Sequence, residues 1–340
     1  MNTITAIIKS AFPKQAKRVL EVVRNAYDEK QRYWHGESHI LKLLEQAKGD
    51  LLLQLTIIFH DLVYRPGATG NELLSATFVR DKLPEFAGKK DVVQAILESE
   101  WKNLPKSVLG KKLFALDCQI LMEKQPLAAR LEYELAIFKE NQKYGLEAYR
   151  PARIGFLRQW GKKFGGRFKD QIEVAEAFQP TIALYPGSFN PFHFGHLSVL
   201  RNAERVFNQV VIAAGINRQK VTNGTVAMQT RYDTLASTLI FHQVLGFDTL
   251  LAKAIEKFPK ASIVRSIRNG TDLDAELHWR RFTEELAPAH PVVWIGCEPT
   301  SQHISSSAVR ELKTFDGKIA DNYVPTAKDI YELGISNHVN

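Results

Sequence analysis

Three groups of residues in this chain carry the chemistry of phosphate and metal handling. The first is Gly187-Ser188-Phe189-Asn190-Pro191-Phe192-His193-Phe194-Gly195-His196, where two imidazoles flank a glycine just past a Pro-Gly turn. Imidazole N–H groups can hydrogen-bond phosphate oxygens whose charge grows in a transition state, and Gly195 lets the backbone approach a ligand closely. The second lies in the N-terminal half: Tyr33 to Ile40 with His35 and His39, the adjacent pair His60-Asp61, and the distant Asp117. Brought together in a helical bundle, such groups can hold a divalent metal, and imidazole with carboxylate suits Mn, Fe, Co, Ni or Zn rather than Ca. The third comprises Arg265 and Arg268, followed by Asp272 and Glu276 four apart on one helical face, and the run Ser305-Ser306-Ser307 ahead of Arg310. Guanidinium groups grip oxyanions in pairs. Serines opening a helix satisfy its first N–H groups, and the same end of a helix attracts phosphate.

These residues need elements to position them, and the two halves of the chain supply different ones. From Lys14 to about Phe178 the apolar spacing is helical, as in Val19-Val22-Val23 and Leu51-Leu55-Ile58, which predicts an all-α domain. Pro84, Pro105, Pro126 and Pro151 punctuate it. After Pro180 short apolar runs appear: 182–185, 210–214, 263–264 and 292–295. Helical spacing lies between and after them, at 197–207, 249–257 and 306–313. Strands alternating with helices predict a doubly wound α/β domain with a parallel sheet. The expected organisation is a helical domain over 1–175 and a Rossmann-like domain over 180–340, with the boundary near 170–180.

The chain has 340 residues, 45% hydrophobic and 24% charged. That composition excludes a disordered, collagen-like or disulfide-stapled chain. Forty-five Lys and Arg against 37 Asp and Glu give a formal net charge of +8, which suits phosphorylated ligands. The charges are mostly interspersed, which argues against a nucleic-acid surface. The one local concentration runs from Arg158 to Lys169. Cys118 and Cys297 are the two cysteines, so no disulfide framework is implied and a cytoplasmic location is expected. No apolar run is long enough to span a bilayer.

The segment 185–196 resembles the H-x-G-H signature of the nucleotidyltransferase superfamily. Over 181–334 the order of motifs is similar to that of the phosphopantetheine adenylyltransferases. Tyr185 to Pro191 matches their Y-P-G-[ST]-F-D-P, with Asn190 for Asp; 265–276 resembles R-G-L-R-x-x-x-D-x-x-x-E, with Ser266 for Gly; 304–310 matches I-S-S-S-x-[VI]-[RK]. The resemblance implies ATP with Mg²⁺ as nucleotide and 4′-phosphopantetheine as acceptor, direct attack without a covalent intermediate, and a homo-oligomer. It implies His196, Lys220 and Ser188 as the groups acting on the reacting phosphates. Gly187, Phe189, His193, Gly195, Arg265, Arg268, Asp272, Glu276, Ser305, Ser306, Ser307 and Arg310 would bind nucleotide or substrate. Position 193 is usually Thr in these enzymes and His in their relatives acting on nicotinamide mononucleotide. Nicotinamide or nicotinate mononucleotide therefore stands as an alternative acceptor.

The N-terminal half resembles the HD superfamily of metal-dependent phosphohydrolases. The match is to a branch with Y-H-x-x-x-H-[IV], F-H-D-x-x-Y and N-E-x-x-S-A, the last being Asn71 to Ala76 here. By that resemblance His39, His60, Asp61 and Asp117 are ligands of a divalent transition metal. His35 sits where the superfamily's cyclic-nucleotide phosphodiesterases keep their proton donor, and Glu72 lies near the site. The branch often carries another histidine near 98–101, and none occurs between His60 and Asp117. A bifunctional enzyme is thus the leading expectation. A non-catalytic regulatory or assembly module is the alternative for this half.

Overall fold

The computed structural model describes residues 2–100, 103–122, 124–215, 228–268 and 270–333. The chain forms two compact units: residues 2–141, 149–178 and 331–333 in the first, and 142–148 and 179–330 in the second. A single boundary between 170 and 180 therefore misses two exchanges: 142–148 clusters with the second unit, and 331–333 with the first. Long-range packing makes both assignments. Gln209 Nε2 donates to the Gln142 carbonyl (2.8 Å), and Lys30 N donates to the Tyr331 carbonyl (3.1 Å).

The first unit contains α1 (Asn2–Ala11), α2 (Ala16–Tyr27), α3 (Glu37–Gln46), α4 (Leu51–Phe59), α5 (Asn71–Lys82), α6 (Lys89–Glu98), α7 (Val108–Asp117), the single turn α8 (Gln119–Met122), α9 (Leu127–Glu140), most of α10 (Gly145–Lys163) and α11 (Lys169–Ala177). Helix α4, Leu-Leu-Leu-Gln-Leu-Thr-Ile-Ile-Phe, is apolar nearly all round and is accordingly central. It packs against α1, α3, α5, α6 and α7, and Leu55, Ile57, Ile58 and Phe59 are essentially inaccessible. Asp50 caps it, accepting from Leu53 N (3.1 Å), and Ser107 caps α7, accepting from Gly110 N (2.9 Å). No described helix is long and apolar enough to cross a membrane.

The second unit is built on β1 (Ile182–Gly187), α12 (Phe194–Ala203), β2 (Gln209–Gly215), α13 (Met228–Thr238), β3 (Val244–Phe247), α14 (Leu251–Ile255), β4 (Ser262–Ile267), α15 (Gly270–Leu286), β5 (Val292–Gly296), α16 (Ser306–Phe315), α17 (Gly317–Asp321) and α18 (Ala327–Tyr331). The five strands are parallel in the order β3-β2-β1-β4-β5. Leu184, Val211, Ala213 and Ile263 fill the core beneath the sheet with Ile255, Ala261 and Ala287. The connection direction reverses between β1 and β4, so the crevice beyond their carboxyl ends is where such a sheet binds ligands. The loop after β1 carries the His-Phe-Gly-His segment, and Arg265 and Arg268 lie at the end of β4.

Candidate functional sites

In the second unit, His193 is the N-cap of α12 and His196 is its third residue. The two cap each other. His196 N donates to His193 Nδ1 (3.4 Å), and His193 N donates to His196 Nδ1 (3.3 Å). Their rings stack at 3.7 Å between centroids. With both Nδ1 lone pairs taken by backbone N–H groups, each neutral imidazole carries its proton on Nε2, as a donor for an oxyanion. Phe192 stacks on His196 at 5.5 Å and Phe189 meets it edge-on at 5.0 Å.

Two glycines make this packing possible. A Cβ on Gly187 would lie 2.7 Å from the Phe189 ring. One on Gly195 would lie 3.0 Å from the His193 imidazole and 3.2 Å from the Ser301 carbonyl. Phe189 itself sits at φ 44, a left-handed conformation that the packing of its ring holds in place.

The start of α16 is tied to the same loop. Ser305 caps the helix through Ala308 N (3.1 Å). Ser306 Oγ donates to the Pro191 carbonyl (3.0 Å), and Arg310 donates to the Asn190 carbonyl and to Ser307 Oγ. Arg231, on α13, donates to the Ser188 carbonyl (3.2 Å) and the Gly215 carbonyl (3.5 Å), linking the ends of β1 and β2. A cavity of about 620 Å³ opens beside the loop, bounded by Phe189, Phe192, Arg231 and Arg310, a volume suited to a small-molecule ligand. Arg268 lies near enough that its charge lowers the pKa of both His193 and His196. Arg265 is differently placed: its guanidinium is held bidentately by Glu276 (2.6 and 2.6 Å), so without ligand these two residues satisfy each other. Lys220 lies outside the described residues, as does the side chain of Asp272.

Burial and the nearby Arg268 push His193 down to about 4 from the ordinary 6.5. Burial, His193 and Arg268 push His196 well below that ordinary value. Both are neutral at pH 7. A depressed histidine stabilises the fold fully above pH 6.5 and loses that contribution as pH falls toward 4, because the unfolded chain then binds a proton the folded one refuses. Between pH 7.5 and 5 the loss from His193 is about 2 kcal/mol. Urea unfolding at the two pH values should therefore show a drop about 2 kcal/mol smaller in His193→Gln than in the wild type. An equal drop in both would mean that the imidazole is not dry.

In the first unit, His39 stands in the first turn of α3, His60-Asp61 directly follows α4, and Asp117 ends α7. Three donor atoms converge, from His39, His60 and Asp117, while Asp61 stands beside His60 and outside that mutual cluster. His39 Nε2 is 3.0 Å from Asp117 Oδ1, and His60 Nε2 is 3.1 Å from Asp61 Oδ2 and 3.9 Å from Asp117 Oδ1. Atoms of His39, His60 and Asp117 lie within 4.8 Å of one another. His60 Nδ1 lies 2.8 Å from the Ile57 carbonyl, a bond that requires the proton on Nδ1 and leaves the Nε2 lone pair for a cation. Among the described residues, the buried His60 Nε2 and Asp61 Oδ2 have no hydrogen-bond partner beyond their own pairing, a condition that suits ligands whose further partner is an ion. Burial disfavours charge on each group. Even so, Asp61 and Asp117 hold His60 up at about 9, and the histidines hold both carboxyls below the usual range. The donor set fits a divalent transition metal.

The surrounding residues hold this cluster. Arg32 donates to the Asp61 carbonyl (2.6 Å) and the Leu62 carbonyl (3.1 Å), and is itself paired with the buried Glu29 (2.9 Å). Ser75 bonds both the N–H and the carbonyl of Val63, and Asn71 bonds those of Arg65. The Asn71 to Ala76 segment thus pins the loop after the His-Asp pair. Glu72 feels the charge of Asp61, and its pKa is raised chiefly by burial. A cavity of about 310 Å³ reaches His39 and Asp117 past Trp34 and Lys42.

One residue beside His35 escaped the sequence reading. Glu140 is wholly buried and bonds the His35 ring (2.7 Å) and Tyr64 OH (2.8 Å). Glu140 carried no signal beyond its type, because it lies 105 residues from His35, whereas Tyr64 closes the F-H-D-x-x-Y element.

A parallel sheet with a histidine pair and a serine-capped helix beyond its switch point defines a nucleotidyltransferase domain, and residues 184–312 match the cytidylyltransferase-like family. The phosphopantetheine adenylyltransferases of Agrobacterium fabrum and Brucella ovis are each 31% identical over 153 residues, covering 43% of this chain and 93% of the relative. That of Brucella suis is 30% identical over 145 residues, covering 41% and 88%. Through this part the chain belongs to the phosphopantetheine adenylyltransferase family.

Proposed function

We propose that the second unit transfers an adenylyl group from ATP to 4′-phosphopantetheine, giving dephospho-coenzyme A and pyrophosphate. The supporting observation is the bonding of the His-Phe-Gly-His loop to the start of α16, through Ser306 to Pro191 and Arg310 to Asn190. It sets imidazole donors and a capped helix N-terminus beside one crevice. The acceptor phosphate attacks the α-phosphorus directly. His196 Nε2–H donates to the oxygens gaining charge, Ser188 and Arg268 flank them, and Lys220 supplies a positive charge. Mg²⁺ enters with ATP and screens its phosphates. Catalysis on this reading is positioning and electrostatics.

The cap formed by His193 bears on the acceptor. Its imidazole accepts from His196 N, a task a threonine hydroxyl at an N-cap performs equally well. A histidine at 193 therefore does not call for a mononucleotide acceptor. Pyrophosphate release should appear with ATP plus 4′-phosphopantetheine and stay at background with nicotinamide or nicotinate mononucleotide. Turnover with either mononucleotide instead would reassign the acceptor.

For the first unit the proposed activity is metal-dependent phosphate-ester hydrolysis. His39, His60, Asp61 and Asp117 would hold the metal, which when bound supplies Lewis acidity toward a phosphate ester and the attacking water. His35 faces the leaving group, and Arg32 keeps the His-Asp turn in place. The convergence of His39, His60 and Asp117 donor atoms within 4.8 Å of one another carries this reading.

A further inference from the structure

We propose that Glu140 is the positioning residue that aims His35 Nε2 at the leaving oxygen, and that the first unit's site is built for phosphate esters of unactivated alcohols. The proposal rests on the phosphohydrolase reading and deepens it.

Glu140 is the last residue of α9 and is fully buried. A carboxylate there faces the negative end of the helix dipole and loses its hydration, so both effects oppose it. Its place is explained by what it accepts: the N–H groups of Trp34 (2.7 Å) and His35 (2.9 Å), the His35 ring at Nδ1 (2.7 Å) and Tyr64 OH (2.8 Å). Among the described residues its ion-pair partner is His35. One carboxylate thus clamps both the backbone and the ring of a single histidine. Tyr64 also stacks on that ring at 4.2 Å, which fixes its plane.

A carboxylate accepting at Nδ1 keeps the proton there and leaves Nε2 as the working nitrogen. Among the described residues no protein atom bonds His35 Nε2. The side chain is 23% exposed, and its ring centre is 6.1 Å from that of His39 in the metal cluster. A staple joining α9 to the 33–37 segment would not need this exposure. In the step, water forms the new P–O bond and the P–O bond to the alcohol breaks. His35 passes its Nε2 proton to the leaving oxygen, and the attacking water's proton restores it. Ester and water give alcohol and phosphate. An alkoxide is a poor leaving group and needs that proton, whereas nitrophenolate does not.

The test uses the full chain loaded with Mn²⁺, with ethyl phosphate and p-nitrophenyl phosphate as substrates. Glu140→Gln places an amide against Nδ1 and favours the wrong tautomer, so ethyl phosphate turnover should fall about 10²–10⁴-fold. Nitrophenyl phosphate should change by no more than about 3-fold, with bound Mn²⁺ unchanged. Tyr64→Phe keeps the stacking, removes one of the four bonds and should show a smaller split of the same sign. Independently of turnover, ¹⁵N NMR of the His35 ring should report Nδ1–H in the wild type and lose it in Glu140→Ala. Equal slowing of both esters, or an unchanged tautomer, overturns the proposal. A wild type that hydrolyses neither ester sinks the phosphohydrolase reading instead, and the tautomer then still decides whether Glu140 orients His35.

Discussion

His196→Ala is expected to release pyrophosphate from ATP and 4′-phosphopantetheine about 10²–10³-fold more slowly than the wild type, with the loss in kcat and little change in KM for ATP. That magnitude is the typical cost of removing one preorganised donor to developing charge, and a donor used only in the transition state lowers kcat. The alanine also removes the acceptor for His193 N, half of a reciprocal cap worth about 1 kcal/mol, too little to unfold the unit. His196→Asn, whose amide can donate from a similar position, should recover part of the rate. A steady-state pyrophosphate assay on the three proteins decides the matter. An alanine variant within about 3-fold of the wild type would place the reacting phosphate elsewhere.

The second large effect concerns the first unit. The wild type should bind one equivalent of Mn²⁺ or a similar ion, and a hundredfold excess over the dissociation constant should add about 2.7 kcal/mol of stability. His60→Ala should lose both the ion and the gain. The Ile57 carbonyl anchors the His60 ring at Nδ1, so the alanine removes a donor held in place within the cluster of His39, His60 and Asp117. Elemental analysis and thermal melts with and without Mn²⁺ provide the measurement. Equal metal content in the two proteins would leave the cluster a hydrogen-bonded core feature and favour a non-catalytic module.

Legibility in the sequence tracked how local each feature was. β1, its turn and the histidine pair were readable because strand, Pro-Gly and helix follow one another within 15 residues of chain. β3 was not. It is four residues long, contains Gly246 and is only half-buried, so it has neither the length nor the apolarity that marks β2. The helix opening at Phe194 starts before its apolar spacing shows, because His193 caps it in place of the usual small polar residue. In the first unit the spacing of Leu51, Leu55 and Ile58 announced a helix, and the His-Asp pair after it stood out by type. The clamp on that pair, Arg32 with Glu29, and the hold of Glu140 on His35 join residues that look like ordinary surface charges until folding buries them. Arg265 shows the converse: its spacing suggested an oxyanion grip, and the folded chain offers it Glu276.

The bond from Ser306 to the Pro191 carbonyl spans 115 positions. During synthesis, which runs from the N-terminus at about 5–20 residues per second, the histidine loop emerges long before the helix that completes its cradle. A nascent chain stopped after β5 holds the sheet's sequence but none of the serine cap. The histidine loop therefore waits for α16 to complete its cradle, and a product shortened before that helix would carry the histidines without the bonds from Ser306 and Arg310.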